Sequence, residues 1–283
     1  MQDFHRKKLG FIGGGNMGRA IVSGLIASGF PPSGITVADP HEPGLADLAR
    51  LYGVATTTDN DAVARACDLL ILAVKPQQMA DVVRALRPAM AARGPLLLSV
   101  AAGIKAADLA TWAGPGPTGA GVTVVRSMPN RPALLGVGAT GLFATAAVDA
   151  AARELVEQVL GVTGFTVWVR TEAELDWVTA LSGSGPAYFF LLAELLAHSA
   201  AAHGIDAATA ASLAAHTLHG AGRMAVMPGA ELATLRAEVT SRGGTTAAAL
   251  ASFEANGLAS LVDAAVCAAA HRSQELGELF GKA

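Results

Sequence analysis

Residues Gly13-Gly14-Gly15-Asn16-Met17-Gly18 carry the spacing GxGxxG between a short apolar run, Leu9-Gly10-Phe11-Ile12, and a segment of helical pattern. In that setting the first glycine permits a tight turn, the second lets backbone approach a pyrophosphate, and the third lets helix and strand pack closely. The helix N-terminus then faces the anion. Gly14, at a variable position, needs only turn geometry. Asp39 closes the next apolar run roughly 20 residues on, where an acid accepts the ribose hydroxyls of NAD and repels the 2′-phosphate of NADP. Asp39-Pro40 reads equally as an ordinary strand-ending turn. The choice between the two cofactors therefore stays open.

Three more segments combine chemistry with unusual backbone. Val125-Arg126-Ser127-Met128-Pro129-Asn130-Arg131-Pro132 leaves an apolar run and turns sharply, at the kind of strand end where open α/β sheets bind ligands. Leu181-Ser182-Gly183-Ser184-Gly185-Pro186-Ala187-Tyr188 interrupts a helical stretch. Glycine costs about 1 kcal/mol and interior proline about 3 in a helix, so either a ligand or a close-packed neighbour must account for them. Val239-Thr240-Ser241-Arg242-Gly243-Gly244-Thr245-Thr246 is a glycine loop ahead of a helix, whose free N–H groups form a nest for an anion such as a carboxylate. Thr245 or Thr246 as a plain N-cap fits the same residues.

The histidines offer no coherent metal set: His216 and His219 are three apart on a helix but lack the Glu-x-x-His partners of a bundle site. No P-loop occurs, and a Ser-His-Asp arrangement has no support. Cys67 and Cys267 stand far apart without CxxC spacing, which argues against a disulfide framework and favours a reducing compartment. Lys+Arg 20 against Asp+Glu 23 gives a net charge of −3, so nothing favours nucleic acid. The mean hydropathy of +0.43 owes much to alanine, and no run approaches the ~20 apolar residues of a spanning helix. The basic start, 1–8, leads into an apolar run too short for a signal peptide. A soluble, cytoplasmic protein is expected.

The elements that must position these residues follow a βαβ rhythm from 8 to about 170. Strands are expected at 8–13, 35–38, 69–74, 96–100, 122–127, 139–143 and 165–169, with a weaker one near Val54. Helices are expected at 17–28, 45–52, 77–90 and 148–160. Beyond Arg170 the β-branched clusters vanish and alanine-rich helices follow: 174–203 as one long helix, 207–226, 231–239, and two more split at Asn256-Gly257. The reading is α/β, a Rossmann-type, mostly parallel sheet domain over 1–170 followed by an all-helical domain over 171–283. Helices so rich in small residues bury little area each, so close packing or an oligomer interface must complete the core.

Five motifs in order resemble the pyrroline-5-carboxylate reductase family. They are Gly10-Phe-Ile-Gly-Gly-Gly-Asn-Met-Gly18, Ala73-Val-Lys-Pro76, Met128-Pro-Asn130, Leu181-Ser-Gly-Ser-Gly-Pro-Ala-Tyr188 and Ser241-x-Gly-Gly-Thr-Thr246. The resemblance covers about residues 8–280. It implies NADPH or NADH as cofactor and a helical dimerisation domain, often assembled further into a decamer, a pentamer of dimers. It implies that Gly13, Gly15, Asn16, Met17 and Gly18 contact the pyrophosphate and that Asn60 lies near the adenosine. Ala73, Val74, Lys75 and Pro76, then Ala101, Ala102 and Gly103, would line the route to the nicotinamide, which Met128, Pro129 and Asn130 approach. Gly243, Gly244 and Thr245 would hold the substrate carboxylate, Thr246 would sit near the ring nitrogen, and Glu172 would match an outer position of the substrate site. The kink at Ser182–Pro186, with Ser184, is expected beside the substrate.

Arg242 departs from the family loop, which usually carries proline there. Without the fixed φ of proline the loop gains freedom before substrate binds, while an arginine also attracts a carboxylate. A β-hydroxyacid dehydrogenase would share the first domain, but that family carries a catalytic lysine after its second glycine motif, and 181–192 has none. A nicotinamide-binding sensor with a degraded substrate site is the non-enzymatic alternative, favoured only by Arg242.

Overall fold

The computed structural model describes residues 4–281. Met1–Asp3, the first part of the basic start, and the last two residues of the expected second domain lie outside it. The chain forms two compact units, one running to Gly183 and resuming at Ala269, the other Ser184–Ala268. The sequence-based division at 170/171 cuts the chain earlier and leaves the returning C-terminal segment out of the first unit.

In the first unit β1 (Leu9–Ile12), α1 (Asn16–Ala27), β2 (Ile35–Ala38), α2 (Glu42–Tyr52), β3 (Ala55–Thr57), α3 (Asn60–Ala66) and β4 (Leu69–Leu72) form the first half of the sheet and its helices. They are followed by α4 (Pro76–Ala85), α5 (Arg87–Arg93), β5 (Leu96–Ser99), α6 (Ala106–Ala113) and β6 (Val124–Met128). Then come β7 (Gly138–Ala144), α7 (Ala150–Gly161), β8 (Gly164–Trp168) and α8 (Glu174–Val178). Among the described residues the strands make one sheet in the order β3-β2-β1-β4-β5-β6-β7-β8. All neighbours are parallel except β6 and β7. The first six strands have the order of a dinucleotide-binding sheet, whose direction of winding reverses between β1 and β4.

Alternation along the central strands buries both faces. Phe11, Leu69, Ile71 and Leu98 pack with Ile21, Leu25, Leu48 and Val156 on one side. Ile12, Leu70, Leu72 and Leu97 pack with Val83, Met90 and Leu109 on the other. That is why β1, β4 and β5 are apolar at nearly every position.

The expected helix 77–90 is two helices. The break falls at Leu86, and Pro88 lies in the first turn of α5, where its missing N–H costs nothing. The expected long helix 174–203 is interrupted by a π-helical turn, Thr179–Gly183.

The second unit holds α9 (Gly185–Ala202), α10 (Ala207–Ala225), α11 (Leu232–Glu238) and α12 (Thr245–Ala255). The last helix, α13 (Leu258–Gly281), starts in this unit and ends in the first. Pro186 falls in the first turn of α9, so the proline penalty expected for a helix interior is not incurred. Contrary to the sequence expectation, the helical run Glu174–Ala202 is long and apolar enough, by length and composition, to cross a membrane. Only 11% of that apolar window is buried within the chain.

Candidate active site

The glycine loop leaves β1 where the winding reverses. Gly13 has φ +105°, and a Cβ on it would lie 2.6 Å from the Ala73 carbonyl oxygen. Its N–H donates to the Ala38 carbonyl at 2.8 Å. A Cβ on Gly18 would lie 2.5 Å from the Gly13 carbonyl oxygen, so α1 can pack on the loop only without one. Gly15 is different: it has an ordinary φ of −70° and a Cβ there would meet nothing within 4 Å. No protein atom demands that glycine, and the open space beside it is a cradle that a side chain would fill. No side chain caps α1 and its first turn has no acid, which leaves its first N–H groups available to an anion. Asn16 is exposed, and Met17 is half-buried against the core. These residues fit a dinucleotide pyrophosphate.

Asp39 stands beside this cradle. Its Oδ2 accepts the Gly14 N–H at 2.7 Å and its Oδ1 accepts the His41 N–H at 2.8 Å. Gly14, Gly15, Arg19, Asp39, His41 and Gly44 line a cavity of about 240 Å³. Arg19 and His41 were absent from the sequence-based site; the only signal for Arg19 was a cation directly after the last glycine of the motif. Asn60 opens α3, which Asp59 caps through the Ala62 N–H.

At the carboxyl ends of β4 and β5, Ala73 and Val74 are half-buried, Lys75 is exposed at the N-cap of α4, and Pro76 occupies its first turn. Ala101 and Gly103 are buried and Ala102 half-buried. Two buried serines hold these loops: Ser127 Oγ donates to the Ser99 carbonyl at 2.9 Å, and Ser99 Oγ accepts the Ala101 N–H at 3.3 Å.

Met128, Pro129 and Asn130 follow at the end of β6. Both ends of the Asn130 amide bond to the protein: Nδ2 donates to the Ser182 carbonyl at 3.0 Å, and Oδ1 accepts the Ala139 N–H at 2.9 Å. The Asn130 side chain thereby braces the π-helical turn. A Cβ on Gly183 would lie 2.6 Å from Met128 Cε, the mobile end of a flexible side chain, so this glycine sits against Met128 without being required by it. Within the turn, Ser182 Oγ donates to the Val178 carbonyl and Thr179 Oγ1 to the Leu175 carbonyl, which satisfies acceptors loosened by the bulge.

Glu172 is tied into the protein through one carboxylate oxygen and still lines a cavity with Gly103, Lys105 and Arg126. Its Oε1 accepts both the Ala106 N–H at 2.6 Å and Arg126 Nη1 at 2.8 Å. Arg126, on β6, is buried, so Glu172 neutralises a desolvated guanidinium and pins the start of α6. Nothing in the local sequence pairs two residues 46 positions apart.

In the second unit, Gly243 has φ +69°, the left-handed conformation that glycine tolerates. A Cβ on Gly244 would lie 2.4 Å from Ser241 Oγ. Gly244 is the N-cap of α12, so neither Thr245 nor Thr246 takes that position. The helix start has no side-chain cap and no acid in its first turn, and its free N–H groups suit a carboxylate. Thr245 is exposed, Thr246 half-buried and Arg242 exposed. Ser184 is half-buried at the N-cap of α9, and its hydroxyl caps nothing.

Residues 172–276 match the family model described as pyrroline-5-carboxylate reductase dimerisation, and 8–103 match NADP oxidoreductase, coenzyme F420-dependent. A pyrroline-5-carboxylate reductase of Pseudomonas aeruginosa is 43% identical over 276 residues, 97% of this chain and 98% of the relative. The chain belongs to the pyrroline-5-carboxylate reductases. The Pisum sativum member of that family is 39% identical over 95% of both chains. The solved pyrroline-5-carboxylate reductase of Coxiella burnetii superposes with a TM-score of 0.90 at 39% identity, covering 95% of this chain and 98% of that one. The Plasmodium falciparum pyrroline carboxylate reductase, solved with NADP bound, gives a TM-score of 0.80 at 27% identity, covering 96% of this chain and 99% of that one.

Proposed function

We infer that this protein is a pyrroline-5-carboxylate reductase, an NAD(P)H-dependent oxidoreductase that reduces the C=N bond of 1-pyrroline-5-carboxylate to give L-proline in proline biosynthesis. The observation that carries this reading is 43% identity to a reductase of that name across nearly the whole of both chains. When bound, the reduced nicotinamide supplies hydride. A C–H bond forms at the imine carbon, the π pair of the C=N bond moves to nitrogen, and that nitrogen takes up one proton, drawn from water, to give the product amine.

The chain's task in this reaction is positioning and exclusion of water; it needs no covalent nucleophile. Gly13, Gly15, Asn16, Met17 and Gly18 hold the pyrophosphate, Asp39 and Asn60 serve the adenosine end, and Ala73–Pro76 with Ala101–Gly103 flank the path to the nicotinamide. Met128, Pro129 and Asn130 approach the ring. Gly243, Gly244 and Thr245 hold the substrate carboxylate at the uncapped start of α12, Thr246 hydrogen-bonds the imine nitrogen, and Ser184 lies beside the substrate.

The helical domain is a dimerisation domain. Tyr188, Phe189, Phe190, Leu191, Leu192, Leu195 and Leu196 of α9 are all exposed within one chain, and a second copy of this chain covers them. The assembly proposed is a dimer organised into a pentamer of dimers, in the cytoplasm. Purified protein given 1-pyrroline-5-carboxylate must consume reduced nicotinamide, followed by its absorbance; cofactor binding without consumption would favour the sensor alternative.

A further inference from the structure

Ser241, Arg242, Gly243 and Gly244 form a four-residue turn ahead of α12, closed by the Gly244 N–H donating to the Ser241 carbonyl at 3.0 Å. Gly243 stands third with φ +69°, and among the described residues only glycines have a positive φ. A negative φ at the second position and a positive one at the third make a type II turn. Its third position asks for glycine, and its second accepts proline. The Arg242 N–H donates to no backbone carbonyl among the described residues. Nothing in the backbone therefore calls for arginine at 242.

The side chain has no structural task either. Arg242 is exposed, and among the described residues it makes no hydrogen bond and no ion pair. A guanidinium keeps its charge at any working pH. Arg242 lies three residues ahead of Thr245, the first residue of α12, so their Cα atoms are at most about 11 Å apart, and closer across the turn. That helix start has no side-chain cap and no acid in its first turn, so no neighbour there neutralises the arginine, and the positive end of the helix dipole adds to its field. The chain as a whole carries a net charge of −3, so an anion meets at this turn a local attraction that the whole molecule does not offer.

Resting on the reductase reading, which puts the substrate carboxylate at this helix start, we propose that Arg242 is a further substrate-binding residue. Its guanidinium draws in the carboxylate of the imine and holds it beside the Gly243, Gly244 and Thr245 N–H groups. The contribution is to capture and not to hydride transfer, so it belongs in KM for the imine. Because the pair is exposed to solvent, the effect is a few-fold and is screened by salt.

The test is steady-state kinetics of the full chain with 1-pyrroline-5-carboxylate and reduced nicotinamide, for the wild type, Arg242→Gln and Arg242→Lys. Each is measured at about 0.01 M and about 1 M ionic strength, where the screening length is about 30 and about 3 Å. At low salt Arg242→Gln should raise KM for the imine by up to about fivefold, without a matching fall in kcat and without a change in KM for the cofactor. At high salt the difference should vanish. Arg242→Lys, which keeps the charge, should stay close to the wild type, and thermal midpoints of all three should agree because the side chain touches nothing. An Arg242→Gln protein with an unaltered imine KM at low salt overturns the proposal while wild-type turnover leaves the reductase reading standing. A KM rise that persists in full at high salt, or that the cofactor shares, overturns it too, since it would report a reshaped turn or a general field. So does a lysine variant no better than glutamine. A folded wild type that consumes no cofactor overturns the reductase reading itself, and the proposal with it.

Discussion

The side-chain amide of Asn130 donates to the backbone carbonyl of Ser182 across 3.0 Å, joining the loop after β6 to the π-helical turn that precedes α9. The same amide accepts the Ala139 N–H, so one buried side chain sets both the path of the strand-end loop and the position of the bulge. Asn130→Ala strands a donor and an acceptor. At roughly 1–3 kcal/mol for each buried group left unpaired, thermal denaturation should show a lower midpoint. Turnover should fall more than cofactor affinity, because Asn130 acts on the ring end of the site.

Gly15→Ala separates binding from folding. With nothing within 4 Å of the added methyl group and an ordinary φ, stability without cofactor should stay within about 0.5 kcal/mol of wild type. Dinucleotide affinity should drop by about tenfold or more, ~1.4 kcal/mol, as measured by fluorescence titration. Unchanged affinity would place the pyrophosphate elsewhere.

Glu172→Ala leaves the buried Arg126 guanidinium without its counter-charge. Removing one partner of a buried pair costs about 3–5 kcal/mol. The Glu172 side chain is 28% exposed, so a loss nearer ~2 kcal/mol is expected here, allowing for solvent screening. Chemical denaturation should show it as a lower midpoint with an unchanged slope. An unaltered midpoint would contradict the stabilising role of the Glu172–Arg126 pair.

Cys67 is buried under α3, where loss of hydration pushes its thiol from 9.0 up to about 12. The unfolded chain releases this proton near pH 9 while the native state keeps it. This contribution to stability is thus complete below about pH 9 and erodes as pH rises toward about 12. In the native protein a thiol reagent mapped by mass spectrometry should leave Cys67 unmodified at neutral pH and label it after denaturation. Native labelling would contradict the packing around Gly10 and Val63.

Thr246→Ala should lower kcat by about 100-fold, the lower range for a positioned proton-transfer group, and should alter the pH profile of kcat while KM for the cofactor holds. Full turnover with an unchanged profile would remove Thr246 from the proton path.

The glycine loop was legible in the sequence because three separate demands, a positive φ, a close helix approach and an open cradle, each select glycine. The strands were legible because burial on both faces leaves few polar residues in them. Short helices were not: α3 and α6 span less than three turns, too little for an apolar period to emerge. The break between α4 and α5 was marked by Pro88, a signal that the apolar spacing of 77–90 obscured. Long-range ties were invisible by nature. Glu172 with Arg126, Asn130 with Ser182, and the C-terminal end of α13 with Gly103 are chosen by tertiary packing; a Cβ on Gly277 would lie 2.9 Å from the Gly103 carbonyl oxygen. The same return of α13 explains why a boundary drawn on composition at 170 differs from the compact units. Arg19 and Asp39 show the remaining gap: the motif identifies a dinucleotide, whereas its ribose chemistry depends on which hydrogen bonds the side chains have already made.

The most direct measurement is product stoichiometry. Purified protein, 1-pyrroline-5-carboxylate and reduced nicotinamide are incubated together, with L-proline quantified by amino-acid analysis against the cofactor consumed. The reductase account predicts one L-proline per cofactor oxidised, with none formed when either the substrate or the cofactor is withheld. Cofactor binding with no L-proline formed would contradict it.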